Sequence, residues 1–135
     1  MRKYAKFLLI FIVILTVISP GLAIASTKTA RGTVNYVISG VRVAIHTNTT
    51  WWSYNGTDLL SSPKGIENDQ SVFDGCQMQG EGKKWDWYNT GYHGTCRSNA
   101  HAIFYHPNSG TQWTSRIWIT GKYDGNWSWD HVPNW

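Results

Sequence analysis

Between Thr33 and Ile45 apolar residues recur at every second position. Val34, Tyr36 and Ile38 lead into Ser39-Gly40, and Val41, Val43 and Ile45 resume the pattern beyond it. A period of two places one face of a strand on a core and the other in water, so this segment predicts a hairpin or one bent strand. Trp51 to Tyr54, Asn55-Gly56 and Thr57 to Leu60 predict a second hairpin, because Asn-Gly suits the positive φ angles of a type I′ turn. Trp51 and Trp52, as successive strand residues, are expected on opposite faces. The C-terminal third predicts a meander: Ala100 to His106, a turn at Pro107 to Gly110, Gln112 to Thr120, a break at Gly121, then Lys122 to Trp129. In its middle strand Ser115, Ile117 and Ile119 share one face, and Arg116, Trp118 and Thr120 share the other.

Three stretches carry no such pattern. Ser26 to Gly32 reads as a loose leader, Ser61 to Ser71 as a polar connection, and Asp74 to Thr95 as an irregular glycine-rich loop around Trp85-Asp86-Trp87-Tyr88. No long amphipathic helical stretch is visible. The fold expected is all-β, a small antiparallel β-sandwich or partly closed barrel.

The N-terminus changes the composition that matters. Arg2, Lys3 and Lys6 precede the apolar run Phe7 to Ile18, and Pro20-Gly21 interrupts it before Ala23-Ile24-Ala25. This is the order of a secretory signal, so residues 1–25 are expected to be removed and 26–135 to form one secreted domain without a membrane span. The 12 basic and 8 acidic residues of the chain give +4, but three of the basic ones lie in the signal. The remaining near-neutrality argues against a nucleic-acid partner, which needs clustered cations. Export also predicts that Cys76 and Cys96, the only cysteines, form one disulfide.

All nine Trp lie beyond residue 50, whereas Leu occurs after residue 25 only at Leu59 and Leu60. That surplus exceeds what a small core needs, and an exposed indole beside Asn, Asp or Lys offers an apolar face and hydrogen bonds to a sugar or headgroup. Trp85, Trp87 and Tyr88, with Trp127 and Trp129, are the candidate ligand-binding residues. Metal and cofactor sites are not expected: His101 and His106 stand five apart on a strand, and HExxH, CxxC and phosphate-cradling glycine motifs are lacking. Glu81 with Asp86, or Asp124 with Asp130, leave a small secreted hydrolase as one alternative. No motif singles out a catalytic pair, and no catalytic residue is assigned.

From Glu81 onward, Glu81-Gly82, Trp85, Tyr88-Asn89, Tyr92-His93-Gly94-Thr95, His101-Ala102 and Gly110 follow one another in an order that resembles the lactococcin 972 family of secreted bacteriocins. The resemblance covers about the last 55 residues; the cysteine pair, an insertion before His101 and the segment Thr33 to Phe73 depart from it. It implies a small exported β-sandwich protein that acts, without catalysis, on cell-wall synthesis through the lipid-linked precursor. It adds Tyr92, His93 and His101 to the candidate ligand-binding residues. The expected function is therefore a bacteriocin-like antimicrobial or competition protein that binds a cell-wall precursor or surface glycan. The alternative from another class is a non-toxic extracellular carbohydrate-binding or adhesive module.

Overall fold

The computed structural model describes residues 24–133; the expected secretory signal lies outside them except for its last two residues. The strands are β1 (Ser26–Ile38), β2 (Val41–Tyr54), β3 (Asp58–Val72), β4 (Gln77–Tyr88), β5 (Gly91–Tyr92), β6 (Thr95–His106), β7 (Thr111–Lys122) and β8 (Trp127–Val132). They form two four-stranded sheets, in the orders β1-β2-β3-β5 and β4-β6-β7-β8, and every pair is antiparallel. The all-β expectation holds, and the described residues contain no helix.

The first hairpin turns at Ser39 (φ 51°) and Gly40 (φ 80°), and two positive φ values match the strand twist as a type I′ turn does. At the second hairpin only Gly56 has a left-handed φ, 92°. The Asn55 side-chain oxygen instead accepts the N–H of Thr57 at 3.0 Å and of Asp58 at 2.7 Å, so an Asx turn replaces the expected type I′ turn. Trp52 is fully buried and Trp51 is not, in line with opposite faces.

The three stretches without a pattern are strands. Ser26 to Gly32 belongs to β1, where Ala30 and Gly32 face inward and the Thr27 and Thr33 hydroxyls bond those of Ser53 and Thr47 across the pair. Ser61 to Ser71 lies within β3, and Gln77 to Tyr88 is the edge strand β4. In the C-terminal meander the break falls at 123–126 rather than at Gly121. Gly121 stays in β7, where a Cβ would stand 2.5 Å from the Trp52 indole, so the missing side chain makes room for that ring.

The expected disulfide is absent, and the register supplies the reason. Cys96 pairs with Tyr88 at one end of the β4–β6 ladder, while the Cys76 thiol lies against the backbone of Gln77 and Tyr105 at the other. Cys96 and Tyr105 are separated by nine strand residues, roughly 30 Å. A disulfide needs Cα atoms within about 7 Å. Each thiol is a buried member of a different apolar cluster. Burial raises the pKa of Cys76 and pushes that of Cys96 up to about 11.

Those clusters occupy the two ends of the space between the sheets. One gathers Tyr36, Val43, Ala44, Cys76, Ala102, Phe104 and Trp113; the other gathers Ala30, Trp52, Leu59, Cys96 and Ile119. Between them the interior is polar. Asn68 of β3 donates to the carbonyls of Gly82 (2.9 Å) and His101 (3.0 Å) in the opposite sheet, which leaves its Oδ1 to accept from His46 Nε2 at 2.8 Å. His46 Nδ1 is then an acceptor and takes the Ser115 hydroxyl proton at 2.5 Å, and Ser115 accepts from Tyr36 at 2.6 Å. Asn48, Ser98 and Thr50 close a second circuit: Asn48 donates to Ser98 (3.0 Å), Ser98 to Thr50 (2.6 Å) and Thr50 back to Asn48 (2.8 Å). Buried polar groups persist in cores when they find partners, as those of these two circuits do.

Two outcomes follow from this interior. Alkylation under denaturing, non-reducing conditions is expected to add two adducts per chain, and a mass without adducts would restore the disulfide. Desolvation lowers the pKa of His46 below its usual 6.5, against smaller opposing effects of Asn68 and Glu81 and a reinforcing one of His101. The unfolded chain then takes up a proton near pH 6.5 that the folded chain refuses, so the stability present above that pH falls as the solution is acidified. Thermal melting is expected to drop between pH 7.5 and 5, with a smaller drop in His46→Gln; identical pH profiles would contradict the assignment.

Candidate binding surface

Antiparallel pairing brings three connections to one end of the molecule: 55–57 between β2 and β3, 89–94 around β5, and 123–126 between β7 and β8. Backbone hydrogen bonds join them. Gly56 donates to Tyr123 (3.1 Å), His93 to Thr57 (2.9 Å) and Tyr123 to Gly94 (3.1 Å). At Gly94 a Cβ would collide with the Asn89 carbonyl, and at Gly125 (φ 82°) with the Tyr54 ring, so both tight approaches require glycine. The Asp124 carboxylate accepts both the backbone and side-chain N–H of Asn126, which holds its pKa below the ordinary value.

On this frame three rings stack. Tyr92 lies on His93 with centroids 3.9 Å apart, and His93 lies on Tyr123 at 4.3 Å, both near-parallel. His93 reaches that position with a φ of 52°, a region His enters more readily than most residues. Tyr92 is 74% exposed and leaves its outer surface open. Trp127, the first residue of β8, is also exposed beside Gly121 at this end.

Trp87 occupies the outer face of the second sheet near the same end. Its indole N–H donates to Thr95 at 3.2 Å, and the Arg97 guanidinium lies between the rings of Trp87 (5.5 Å) and Trp118 (5.1 Å). A cation this close to two indoles is attracted by both rings. Asp86, displaced by a bulge between Trp85 and Trp87, reaches Asn99 at 3.2 Å and pairs with Lys84 and Arg97.

The remaining expected residues do other work. Trp85 and Tyr88 meet edge to face at 4.8 Å and pack on the core. Tyr88 donates to the Leu60 carbonyl at 2.7 Å under the Lys64 ammonium, and burial pushes its pKa up to about 12. Trp129 covers Gly32, where a Cβ would stand 2.7 Å from the indole, and stacks on His131. His101 lies over Gly82 in mid-sheet, where a Cβ would stand 3.0 Å from Nε2. The structure thus gathers Trp87, Tyr92, His93 and Trp127 at one exposed end, while Trp85, Tyr88, Trp129 and His101 stand apart from that surface. Sequence reasoning missed Tyr123, Arg97 and Trp118. The alternation that put Trp118 and Arg116 on one face was the available signal for Trp118; no local pattern announces Tyr123.

Ser115, His46 and Asn68 follow the order of a nucleophile, base and orienting amide. Ser115 and His46 are fully buried, so a substrate carbonyl has no approach to the Ser115 hydroxyl. Among the described residues no group of three His, Cys, Asp or Glu stands close enough to hold a metal ion, and no helix is long and apolar enough to cross a membrane. No protein-family model, curated protein or solved structure matches the chain.

Proposed function

We propose that the protein is an exported, bacteriocin-like binder of a cell-envelope component, a cell-wall precursor or surface glycan, and that it acts by occupying this ligand rather than by transforming it. The observation that supports the reading most is the solvent-facing column Tyr92–His93–Tyr123 on three loops already tied together by their backbones. Stacking of a sugar ring on Tyr92 extends an existing pile of rings. A ligand that meets preformed loops loses less affinity to ordering them. The order of residues from Glu81 to Gly110, with its resemblance to secreted bacteriocins, supplies the envelope as the setting and growth inhibition as the consequence.

The test is a titration of the purified protein with vesicles carrying or lacking lipid-linked cell-wall precursor, read by tryptophan fluorescence. A saturable change is expected only with precursor, weakened about tenfold or more in Tyr92→Ala and Trp127→Ala, whose exposed rings leave the core intact. Equal responses to both vesicles, or full binding by both variants, would contradict the proposal. Binding without growth inhibition would assign the protein to the non-toxic carbohydrate-binding class.

A further inference from the structure

The outer face of the second sheet holds two buried polar atoms that lack hydrogen-bond partners, Arg97 Nε and Asn99 Oδ1. Cores and sheet faces rarely leave such groups unpaired, because each forfeits its hydration without recompense. Arg97 Nε has only a distant ion-pair contact, 3.9 Å from Asp86. Asn99 is 5% exposed and spends its amide N–H on Asp86, which leaves the carbonyl oxygen unused. The two residues alternate onto the same face of β6, whose neighbours on either side are Trp87 of β4 and Trp118 of β7.

We infer that this patch is a subsite for the acetamido group of an N-acetylated sugar. The inference rests on the glycan-binding reading above and names its ligand class. Arg97 offers an N–H donor and Asn99 a carbonyl acceptor, roughly 7 Å apart along the strand. A trans amide presents the complementary pair, a C=O and an N–H pointing in opposite directions, and can span that gap with one hydrogen bond of about 2.9 Å at each side. A carboxylate or phosphate satisfies Arg97 and repels at Asn99, while an ammonium does the reverse. The indoles of Trp87 and Trp118 supply apolar walls for the acetyl methyl and the sugar ring. Lys84 is the register partner of Asn99, ion-pairs with Asp86 at 3.7 Å and has a side chain 68% exposed, so it can yield to a ligand that settles on the patch.

The experiment is calorimetric titration of the purified protein with tetra-N-acetylchitotetraose and with its fully deacetylated counterpart. The acetylated tetramer is expected to bind at least tenfold more tightly. Arg97→Lys keeps the cation between the indoles and removes Nε, and Asn99→Leu keeps the volume and removes the oxygen; each is expected to abolish the preference for acetylation. Circular dichroism melts identify any variant that fails to fold, and Arg97→Lys alone then decides. Equal affinity for the two tetramers, or an undiminished preference in a folded variant, would overturn the subsite. If the tetramers fail to bind while precursor vesicles bind, the subsite is wrong and the broader reading stands; if neither binds, both fall.

Discussion

The hydrogen-bond chain from Tyr36 through Ser115 and His46 to Asn68 fixes how the two sheets face one another. Its direction is determined at every step, because Asn68 uses both amide protons on Gly82 and His101 and can only accept from His46. A slip of any strand by one residue turns its inward side chains outward, and here it also leaves several buried polar atoms unpaired. Each such loss costs about 1–3 kcal/mol, a sizeable part of the stability of a small domain. Apolar clusters alone tolerate rearrangement; a polar seam between them does not.

Register fixed in the middle positions the ends. Trp52 stands against Gly121 and donates to the Lys122 carbonyl at 3.1 Å, directly beneath the turn that carries Tyr123. From there the loops are joined backbone to backbone, so the stacked rings rest on structure continuous with the core. Aromatic side chains on such a base are suited to binding because little remains to be ordered. The same register separates the cysteines, since it sets Cys96 beside Tyr88 and Cys76 beside Tyr105.

Strand patterning was legible wherever apolar residues alternate. Ser115, Ile117 and Ile119 are fully buried on one face of β7, and the first hairpin turns at Ser39-Gly40. It failed where the interior is polar. Asn68 in β3 looks like a loop residue, yet it faces partners supplied by other strands; the start of β1 hides for another reason, since its Ser and Thr side chains are exposed and those of Thr27 and Thr33 bond across the pair. A period-two pattern of hydropathy does not register a core built from Asn, His, Ser and Thr. The disulfide failed for a related reason: cysteine count and compartment say nothing about distance, and only the β4–β6 pairing shows the two thiols at opposite ends. The surface was half legible. Tyr92, His93, Trp87 and Trp127 came from composition and resemblance, whereas Tyr123, Arg97 and Trp118 joined them through pairing between distant segments.

The proposed ligand would bind at the aromatic end and on the sheet face beside it. Hydrogen exchange of the protein in the presence and absence of peptidoglycan sacculi tests this most directly. Slowed exchange is predicted in 87–97 and 118–126, with no change at the opposite end in 39–41, 73–76 and 107–110. Protection confined to that opposite end, or none anywhere on the chain, would contradict the account.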